Sequence, residues 1–283
     1  MRGTPKLRRA IINADDLGFS AAVTEGILRA HREGIVTSTT IAANMPAAAD
    51  AVRHLAALPD LGVGVHLNVS QGPPLSRQAE ALAGSDGVMR RSGAGVILAC
   101  VCRPWLLAAV EAEYDAQIRW VLDHGIRPTH LDSHRHAHAF PPIFARVARL
   151  ARRYHIRFVR RHRESLPGRG WPAAPGKQRR LSRLLNVLGA ACNRAAPDLL
   201  ATGGTWGVAH TGGISEDWLL RAAQLLPAGT TEIMTHPGLA DGLDAASTRL
   251  LESRQAELAA LCSPAVREAF ENSEIELTHY GRL

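Results

Sequence analysis

Two adjacent carboxylates, Asp15 and Asp16, stand in the segment 13–18 that directly follows the apolar run 10–12, Ala-Ile-Ile. Two charged acids cannot both be buried at a strand end unless a partner neutralises them. A cation is the obvious partner, and histidine, a common ligand of divalent metals, recurs further along the chain. Candidate co-ligands are His66 and the cluster 134–138, His-Arg-His-Ala-His. Together these segments predict a metal-dependent hydrolase on a parallel α/β scaffold.

The acidic pair can serve one site only if the chain turns there. Neighbouring side chains on a straight strand point to opposite faces. We therefore expect the strand to end at the pair, with one carboxylate on the metal and the other free to accept a proton. The alternative is a purely structural pair at a turn or a helix N-terminus, with Asp16 near the start of the next helix.

The segment 130–138 contains four histidines, more than one catalytic site needs. Histidines at every second residue would line one face of an extended segment. We expect one of His134, His136 and His138 to bind the metal, while the others hydrogen-bond carboxylates behind the ligands or the substrate. Asp132 would suit the role of orienting a ligand. The alternative is a histidine-rich surface turn.

Two further histidines stand at predicted strand ends. His66 lies in a glycine-rich strand, and the glycines around it favour close backbone approach at a site. His236 precedes a Pro-Gly turn, where a histidine not bound to the metal is the natural general acid. Taken alone, either residue could equally be an ordinary core histidine.

Short β-like runs alternate with longer runs of helical periodicity, which predicts parallel strands joined by right-handed crossovers. We predict an α/β fold, a TIM-like (β/α) barrel that is imperfect, with irregular excursions at its C-terminal mouth over 70–103 and 164–200. Five candidate site residues fall at or just past the C-terminal ends of predicted strands, where such folds bind their ligands. They are Asp15, Asp16, His66, His134 and His236. The predicted strands are 8–13, 37–42, 61–67, 129–132, 157–160, 232–235 and 274–278, and the helices are 21–33 (with Ser20 as N-cap), 47–58, 104–124, 141–154, 216–225 and 245–261.

The chain has 283 residues, 46% hydrophobic and 21% charged, which fits a single domain over 1–283. No stretch approaches the roughly 20 apolar residues that span a bilayer. Residues 1–6 are basic but precede only a short apolar run, a poor signal peptide. The four cysteines lack CxxC spacing and are expected to be reduced thiols. A cytoplasmic location is the expectation.

The formal charge is +7, and arginines concentrate between 146 and 194. Such a region can be a solvated face, or it can contact nucleic acid, anionic lipid headgroups or an acidic substrate. Aromatic residues make up only 5% of the chain and do not interleave with the arginines as a stacking platform requires. Nucleic-acid binding is therefore not expected.

Several segments, in order, resemble the signature segments of the YdjC-like carbohydrate deacetylases, which include chitooligosaccharide and hopanoid-associated deacetylases. They span roughly residues 8 to 240. Leu17 stands where the family usually has Phe, and Arg135 where it commonly has His; neither change removes a proposed ligand. The segments are 13–18 (Asn-Ala-Asp-Asp-Leu-Gly), 34–40 (Gly-Ile-Val-Thr-Ser-Thr-Thr), 64–67 (Gly-Val-His-Leu), 129–138 (Thr-His-Leu-Asp-Ser-His-Arg-His-Ala-His) and 235–237 (Thr-His-Pro).

The resemblance implies a TIM-like barrel and removal of the acetyl group from an N-acetylated amino sugar, either in an oligosaccharide or linked to a glycolipid. It implies that Asp16, His66 and His134 hold one divalent ion, zinc or magnesium before others, with Asp15 as base and His236 as acid. The arginine-rich region is less clearly like the family, which leaves the particular sugar undefined.

Other functions keep the same residues. A metal-dependent phosphoesterase or cyclic amidohydrolase would use the basic region to contact a phosphate. A non-catalytic sugar-binding or metal-binding barrel would retain the ligands but have no need for a free carboxylate beside them. The expected partner is an N-acetylated sugar; transient contact with a membrane or glycolipid, and a homodimer, stay open.

Overall fold

Strands and helices alternate along the chain in the computed structural model, which describes residues 7–165, 171–243 and 248–283. Residues 1–6, and residues 245–247 of the predicted helix 245–261, lie outside that part. The elements are β1 (Arg8–Leu17), α1 (Ala21–Arg32), β2 (Ser38–Ile41), α2 (Ala48–Leu55), β3 (Gly62–Leu67), β4 (Gln71–Gly72), β5 (Met89–Arg90), α3 (Gly93–Cys102), α4 (Leu106–Asp123), β6 (His130–Ser133), α5 (Pro141–Arg153), β7 (Phe158–Val159), α6 (Gly176–Ala195), β8 (Gly204–Trp206), α7 (Glu216–Leu225), β9 (Gly229–Thr235), α8 (Leu251–Leu261), α9 (Pro264–Asn272) and β10 (Ile275–Leu277).

The main sheet is parallel and curled, with the order β7-β6-β3-β2-β1-β9-β8. β10 pairs with the first three residues of β1, and β2 pairs with the same strand from Asn13 onward. The sheet curls so that β8 comes close to the segment that follows β7. There the backbone N–H of Thr205 donates to the carbonyl of Arg163 at 3.2 Å. This arrangement is consistent with the predicted imperfect barrel, and it directs the C-terminal ends of the strands to one mouth.

The core forms because one face of each helix packs on a buried sheet. Helix α1 begins where the Ser20 hydroxyl accepts a hydrogen bond from the Val23 N–H at 3.1 Å, so the predicted N-cap is confirmed. Its apolar side chains Val23 and Ile27 are fully buried against the sheet. Within the described ranges, no helix is long and apolar enough to cross a membrane.

The predicted excursions contain more regular structure than the sequence pattern indicated. Helix α3 lies inside the first, and the 20-residue helix α6 occupies much of the second. Outside the excursions, β8 and α9 were not predicted either. β8 is only three residues long and glycine-flanked, so it has too few positions to show an alternating pattern.

Candidate functional site

The acidic pair lies within β1 rather than after it. The strand runs on to Leu17, so the predicted end at Asn13 is wrong. A register shift between Ala14 and Leu17 interrupts the pairing with β2, and Asp16 has a φ of 75°. This left-handed residue breaks the strict alternation of side chains, since a bulge re-aims the residues around it. Asp15 and Asp16 can therefore both face the mouth.

Three potential ligand atoms converge there. Oδ1 of Asp16 lies 3.3 Å from Nε2 of His66 and 3.2 Å from Nδ1 of His134. The two imidazole nitrogens are 3.4 Å apart. Oδ1 of Asp16 is buried and has no hydrogen-bond partner among the described residues. One carboxylate oxygen and two imidazoles around one point are a donor set that fits a divalent ion with an open coordination position.

Asp16 forms an ion pair with Arg254, a residue that was not predicted to belong to the site. Nη2 of Arg254, on α8, donates to Oδ2 of Asp16 at 2.6 Å, which leaves Oδ1 facing the histidines. Burial opposes ionisation of Asp16, but the Arg254 guanidinium and the contacts with His134 and His66 together outweigh it and hold the pKa well below its usual value. Asp16 is therefore a carboxylate ready to bind a cation.

Asp132 fixes the orientation of His66. Its Oδ1 lies 2.8 Å from Nδ1 of His66, so that nitrogen donates and Nε2 is the one presented to the ligand cluster. Burial works against a charged imidazole, but Asp132 overcomes it and raises the pKa of His66 to about 10. A cation that binds His66 must therefore displace a proton.

A buried arginine, Arg160, gathers three carboxylates directly after β7. Its Nη1 lies 2.8 Å from Oδ2 of Asp15 and 2.7 Å from Oδ2 of Asp132, and its Nη2 lies 2.7 Å from Oδ1 of Asp15. Nη2 also donates to Oε1 of Glu232 at 2.6 Å. Neither Arg160 nor Glu232 was predicted from the sequence to belong to the site. The available signal was the position of Arg160 at the end of a predicted strand, but it stands in a stretch crowded with arginines.

Asp15 and His236 face each other across the mouth. Oδ1 of Asp15 also accepts from the Asn13 side-chain amide at 2.8 Å, and its Oδ2 is 4.0 Å from Nε2 of His236. Burial lowers the pKa of His236 to about 4, so the ring is neutral at pH 7. An acid role for His236 therefore requires it to take up a proton during the reaction.

Helix α8 reaches the site through two residues one turn apart. Besides Arg254, it carries the buried Glu257, whose Oε2 accepts from the backbone N–H of His236 at 2.7 Å. Its Oε1 accepts from the backbone N–H of Gly212 at 3.1 Å. The helix was predicted, but its role was not. The signal would have been two charged residues spaced i, i+3 on a helix face that must be buried.

The histidine cluster is not extended. Residues 134–139 form a kinked 3₁₀ segment in which Arg135 and His136 have φ values of 55° and 57°. The prediction that alternate histidines share one face is therefore wrong: Nδ1 of His136 contacts Nε2 of His162 at 3.1 Å, while His138 bonds to the carbonyl of Arg160 at 2.9 Å. His138 thus supports the segment that carries Arg160 and does not join the ligand cluster.

The parallel, curled sheet and the cluster of Asp16, His66 and His134 together define an α/β protein with a candidate metal centre at the mouth of its sheet. The YdjC-like protein family model matches residues 9–272, so the chain belongs to the YdjC-like family. It is 31% identical over 274 residues to a carbohydrate deacetylase of Geobacillus stearothermophilus, covering 96% of this chain and 97% of the relative. A carbohydrate deacetylase of Brevibacillus brevis is 30% identical over 276 residues, covering 97% and 99%.

A solved structure shares the fold over the whole chain. It is a protein of Enterococcus faecalis V583 described as a candidate cellobiose-phosphate cleavage protein. The two chains superpose with a TM-score of 0.78 at 25% identity, and the match covers 98% of each.

Proposed function

We propose that this chain is a metal-dependent hydrolase that removes the acetyl group from an N-acetylated amino sugar and releases acetate and the free amine. The observation that carries the proposal is the convergence of Asp16, His66 and His134 on one point, 3.2 to 3.4 Å apart, with Asp15 beside them. The carbohydrate deacetylases among the relatives give the substrate class.

The charge balance of the site supports one divalent ion. The carboxylates of Asp15, Asp16, Asp132 and Glu232 outnumber the two guanidinium groups of Arg160 and Arg254 that bind them. A cation at the ligand cluster would offset the remaining negative charge, which is otherwise costly to bury. Bound there, a divalent ion would lower the pKa of a water and polarise the acetyl carbonyl. Imidazole ligands favour zinc; magnesium is the second candidate.

The residues around that ion divide the proton transfers. Asp15 takes the proton of the attacking water, and its carboxylate is kept in place by the bidentate contact with Arg160. His236, neutral at rest and 4.0 Å from Asp15, receives that proton from Asp15 and donates it to the departing sugar nitrogen. An amine leaves far more readily than an amide anion, so this proton is required before the C–N bond breaks.

A phosphoesterase would need cationic groups free to contact the phosphate. The two arginines buried at the site are both bound to carboxylates, which favours acyl transfer over phosphoryl transfer. One solved structure with the same fold is described as a candidate cellobiose-phosphate cleavage protein, so phosphoesterase activity should be tested as well.

The test is acetate release by the purified protein, with and without a chelator, from N-acetylglucosamine, chitooligosaccharides and an N-acetylglucosaminyl lipid. p-Nitrophenyl phosphate serves as the rival substrate. We expect acetate from at least one sugar, loss of activity with the chelator, and recovery with zinc or magnesium. Phosphate release without acetate release would replace this proposal with the phosphoesterase. Sugar binding without any release would leave a non-catalytic barrel.

A further inference from the structure

Helix α3 presents apolar side chains to solvent beside the mouth. Its buried residues Val96 and Cys100 define the face that packs on the protein. Leu98 and Val101 lie on the opposite face and are 63% and 58% exposed, and Trp105, just past the end of the helix, is 61% exposed. Single apolar residues are common on a surface, but several together mark a contact. We call Leu98, Val101 and Trp105 the α3 stripe.

Helix α6 has the same arrangement. Its buried residues Leu185 and Cys192 face the core, whereas Leu184 and Val187 are 55% and 67% exposed. From the period of an α-helix, Val187 stands on the side directly away from the buried face. We call Leu184 and Val187 the α6 stripe. Two separate helices therefore expose the kind of side chain that a soluble surface normally buries.

Both helices pack against the 3₁₀ segment that carries the ligand His134. The Arg135 guanidinium donates through Nη1 to the carbonyl of Arg91, just before α3, at 2.6 Å. Helix α6 reaches the same segment, because Sγ of Cys192 lies 3.6 Å from the carbonyl of Ala139. The two stripes therefore belong to the helices that border the mouth.

The charge around the two stripes has one sign. No aspartate or glutamate occurs over 89–110 or over 171–197. Arg103, at the end of α3, and Arg180 and Arg183, on α6, are exposed and make no ion pair within the part of the chain that the structure describes. Unpaired arginines beside aliphatic side chains and a tryptophan are typical of helices that lie in the plane of an anionic lipid surface.

We infer that the α3 and α6 stripes dock the protein on an anionic lipid surface, with the mouth beside the headgroups. The apolar side chains enter the boundary between headgroups and acyl chains, and the arginines contact lipid phosphates. The inference does not depend on the proposed function, because docking requires neither the metal nor turnover.

The charge and shape of the stripes favour lipid over a protein partner. A second copy of this chain would bring the same arginines against them, and like charges repel. The stripes are outward helix faces, and none of their residues lines the cavities of about 590 and 410 Å³. They therefore offer no pocket for the anchoring side chain of a protein, whereas a fluid lipid surface adapts to both helices.

The experiment sediments the purified full-length protein with vesicles of phosphatidylglycerol and phosphatidylcholine, and with vesicles of phosphatidylcholine alone. The wild type should bind the anionic vesicles at least about 10-fold more tightly, and added salt should weaken this binding. Leu98→Asp and Val187→Asp should each lower the affinity for anionic vesicles at least about 10-fold, because each removes an apolar side chain from the lipid and adds a repelled charge. Both positions are exposed, so both variants should keep the wild-type Tm.

Leu225→Asp is the matched control. Leu225 is an exposed leucine at the end of α7, which leads into the N-terminal end of β9, away from the mouth. This variant should bind the anionic vesicles as the wild type does. The inference is overturned if the wild type does not bind them, or if Leu98→Asp or Val187→Asp binds as tightly as the wild type.

Two further measurements identify other occupants of the stripes. Light scattering without vesicles that shows a wild-type dimer and monomeric Leu98→Asp and Val187→Asp variants would overturn lipid docking in favour of a second copy. Polyglutamate that binds as tightly as the anionic vesicles, with the same loss in both variants, would overturn it in favour of an acidic protein. Because none of these measurements needs turnover, their failure leaves the deacetylase proposal intact, and a lack of acetate release leaves the docking surface intact.

Discussion

Arg160 holds both oxygens of Asp15, with Nη1 at 2.8 Å from Oδ2 and Nη2 at 2.7 Å from Oδ1. The same guanidinium contacts Asp132, which orients the ligand His66. One buried arginine therefore links the proposed base to the metal cluster. Because a bidentate contact fixes a carboxylate in one plane, Arg160 also decides which lone pairs of Asp15 can reach a water.

Arg160→Met should be strongly destabilising, because it leaves three buried carboxylates without their common partner. We expect the free energy of unfolding to fall by about 3–5 kcal/mol. Arg160→Lys keeps the charge but cannot make the bidentate contact, so it should retain more stability than Arg160→Met while losing turnover. Denaturant titration and acetate release measure the two effects. Arg157→Met, at an exposed position three residues earlier, is the control and should change neither. A fully stable Arg160→Met would refute the pairing.

The sequence pattern could predict where the site lies because the rule involved is topological. Parallel strands bring their C-terminal ends to one mouth, so Asp16, His66 and His134 could be grouped without knowing any contact. The structure places their ligand atoms 3.2 to 3.4 Å apart. The same rule does not single out Arg160 among the neighbouring arginines and does not reach Arg254, which lies on a helix. Asp15 is 145 positions from Arg160, and Asp16 is 238 positions from Arg254. Ion pairs between residues so far apart along the chain produce no periodic pattern in the sequence.

Glycine positions show a second limit of the sequence pattern. The glycines of β3 were expected to allow close approach of the backbone at a binding site. Instead, a Cβ on Gly64 would lie 2.5 Å from the ring of His130, and a Cβ on Gly62 would lie 2.6 Å from the ring of His279. Both glycines therefore admit packed histidine rings from neighbouring segments. A glycine indicates close approach, but the sequence does not say whether the approaching group is a ligand or a side chain of the core.

Substitutions of Asp15 and of Asp16 should have different effects on turnover and on metal binding. Asp15→Asn should keep the bound metal and lose at least about 10²-fold in turnover, since a general base is removed while the ligands stay. Asp16→Asn should lose metal, because the amide supplies a weaker ligand beside Arg254. Metal content by atomic absorption and acetate release distinguish the two. Asp123→Asn, at an exposed position at the end of α4, is the matched control. A fully active Asp15→Asn would remove Asp15 from the role of base.

Glu257 should make the stability of the protein depend on pH. Burial raises its pKa from 4.5 to about 7, so the folded state binds a proton that the unfolded state has lost between those values. The contribution of Glu257 is therefore greatest below about pH 4.5 and is lost as the pH rises through about 7. Glu257→Gln should flatten the pH dependence of unfolding over this window. Denaturant titrations of both proteins at pH 5, 6, 7 and 8 measure the difference, and parallel curves for the two proteins would contradict the assignment.

The same substitution should also lower turnover more than metal affinity. Glutamine retains only one acceptor oxygen, so it cannot serve both the His236 and the Gly212 N–H as the carboxylate does. A loss confined to stability, with kcat unchanged, would mean that Glu257 packs the helix without positioning His236. Glu268→Gln, at an exposed position of α9, controls for the loss of a negative charge.

Asp132→Asn tests the support of the metal centre from behind the ligands. Asp132 accepts from Nδ1 of His66 at 2.8 Å and from Nη1 of Arg160 at 2.7 Å, and no other described residue joins these two groups. Asparagine can accept one of these bonds, but its amide would face the other donor. The orientation of His66 should loosen, and the affinity for zinc should fall by about 10- to 100-fold. Because an ion that binds only the folded state stabilises it by mass action, the zinc-induced rise in Tm should shrink in parallel. A variant that kept the zinc affinity and the rise in Tm would show that the strand and Thr40, whose Oγ1 lies 3.2 Å from Nδ1 of His66, are enough to hold His66 in place.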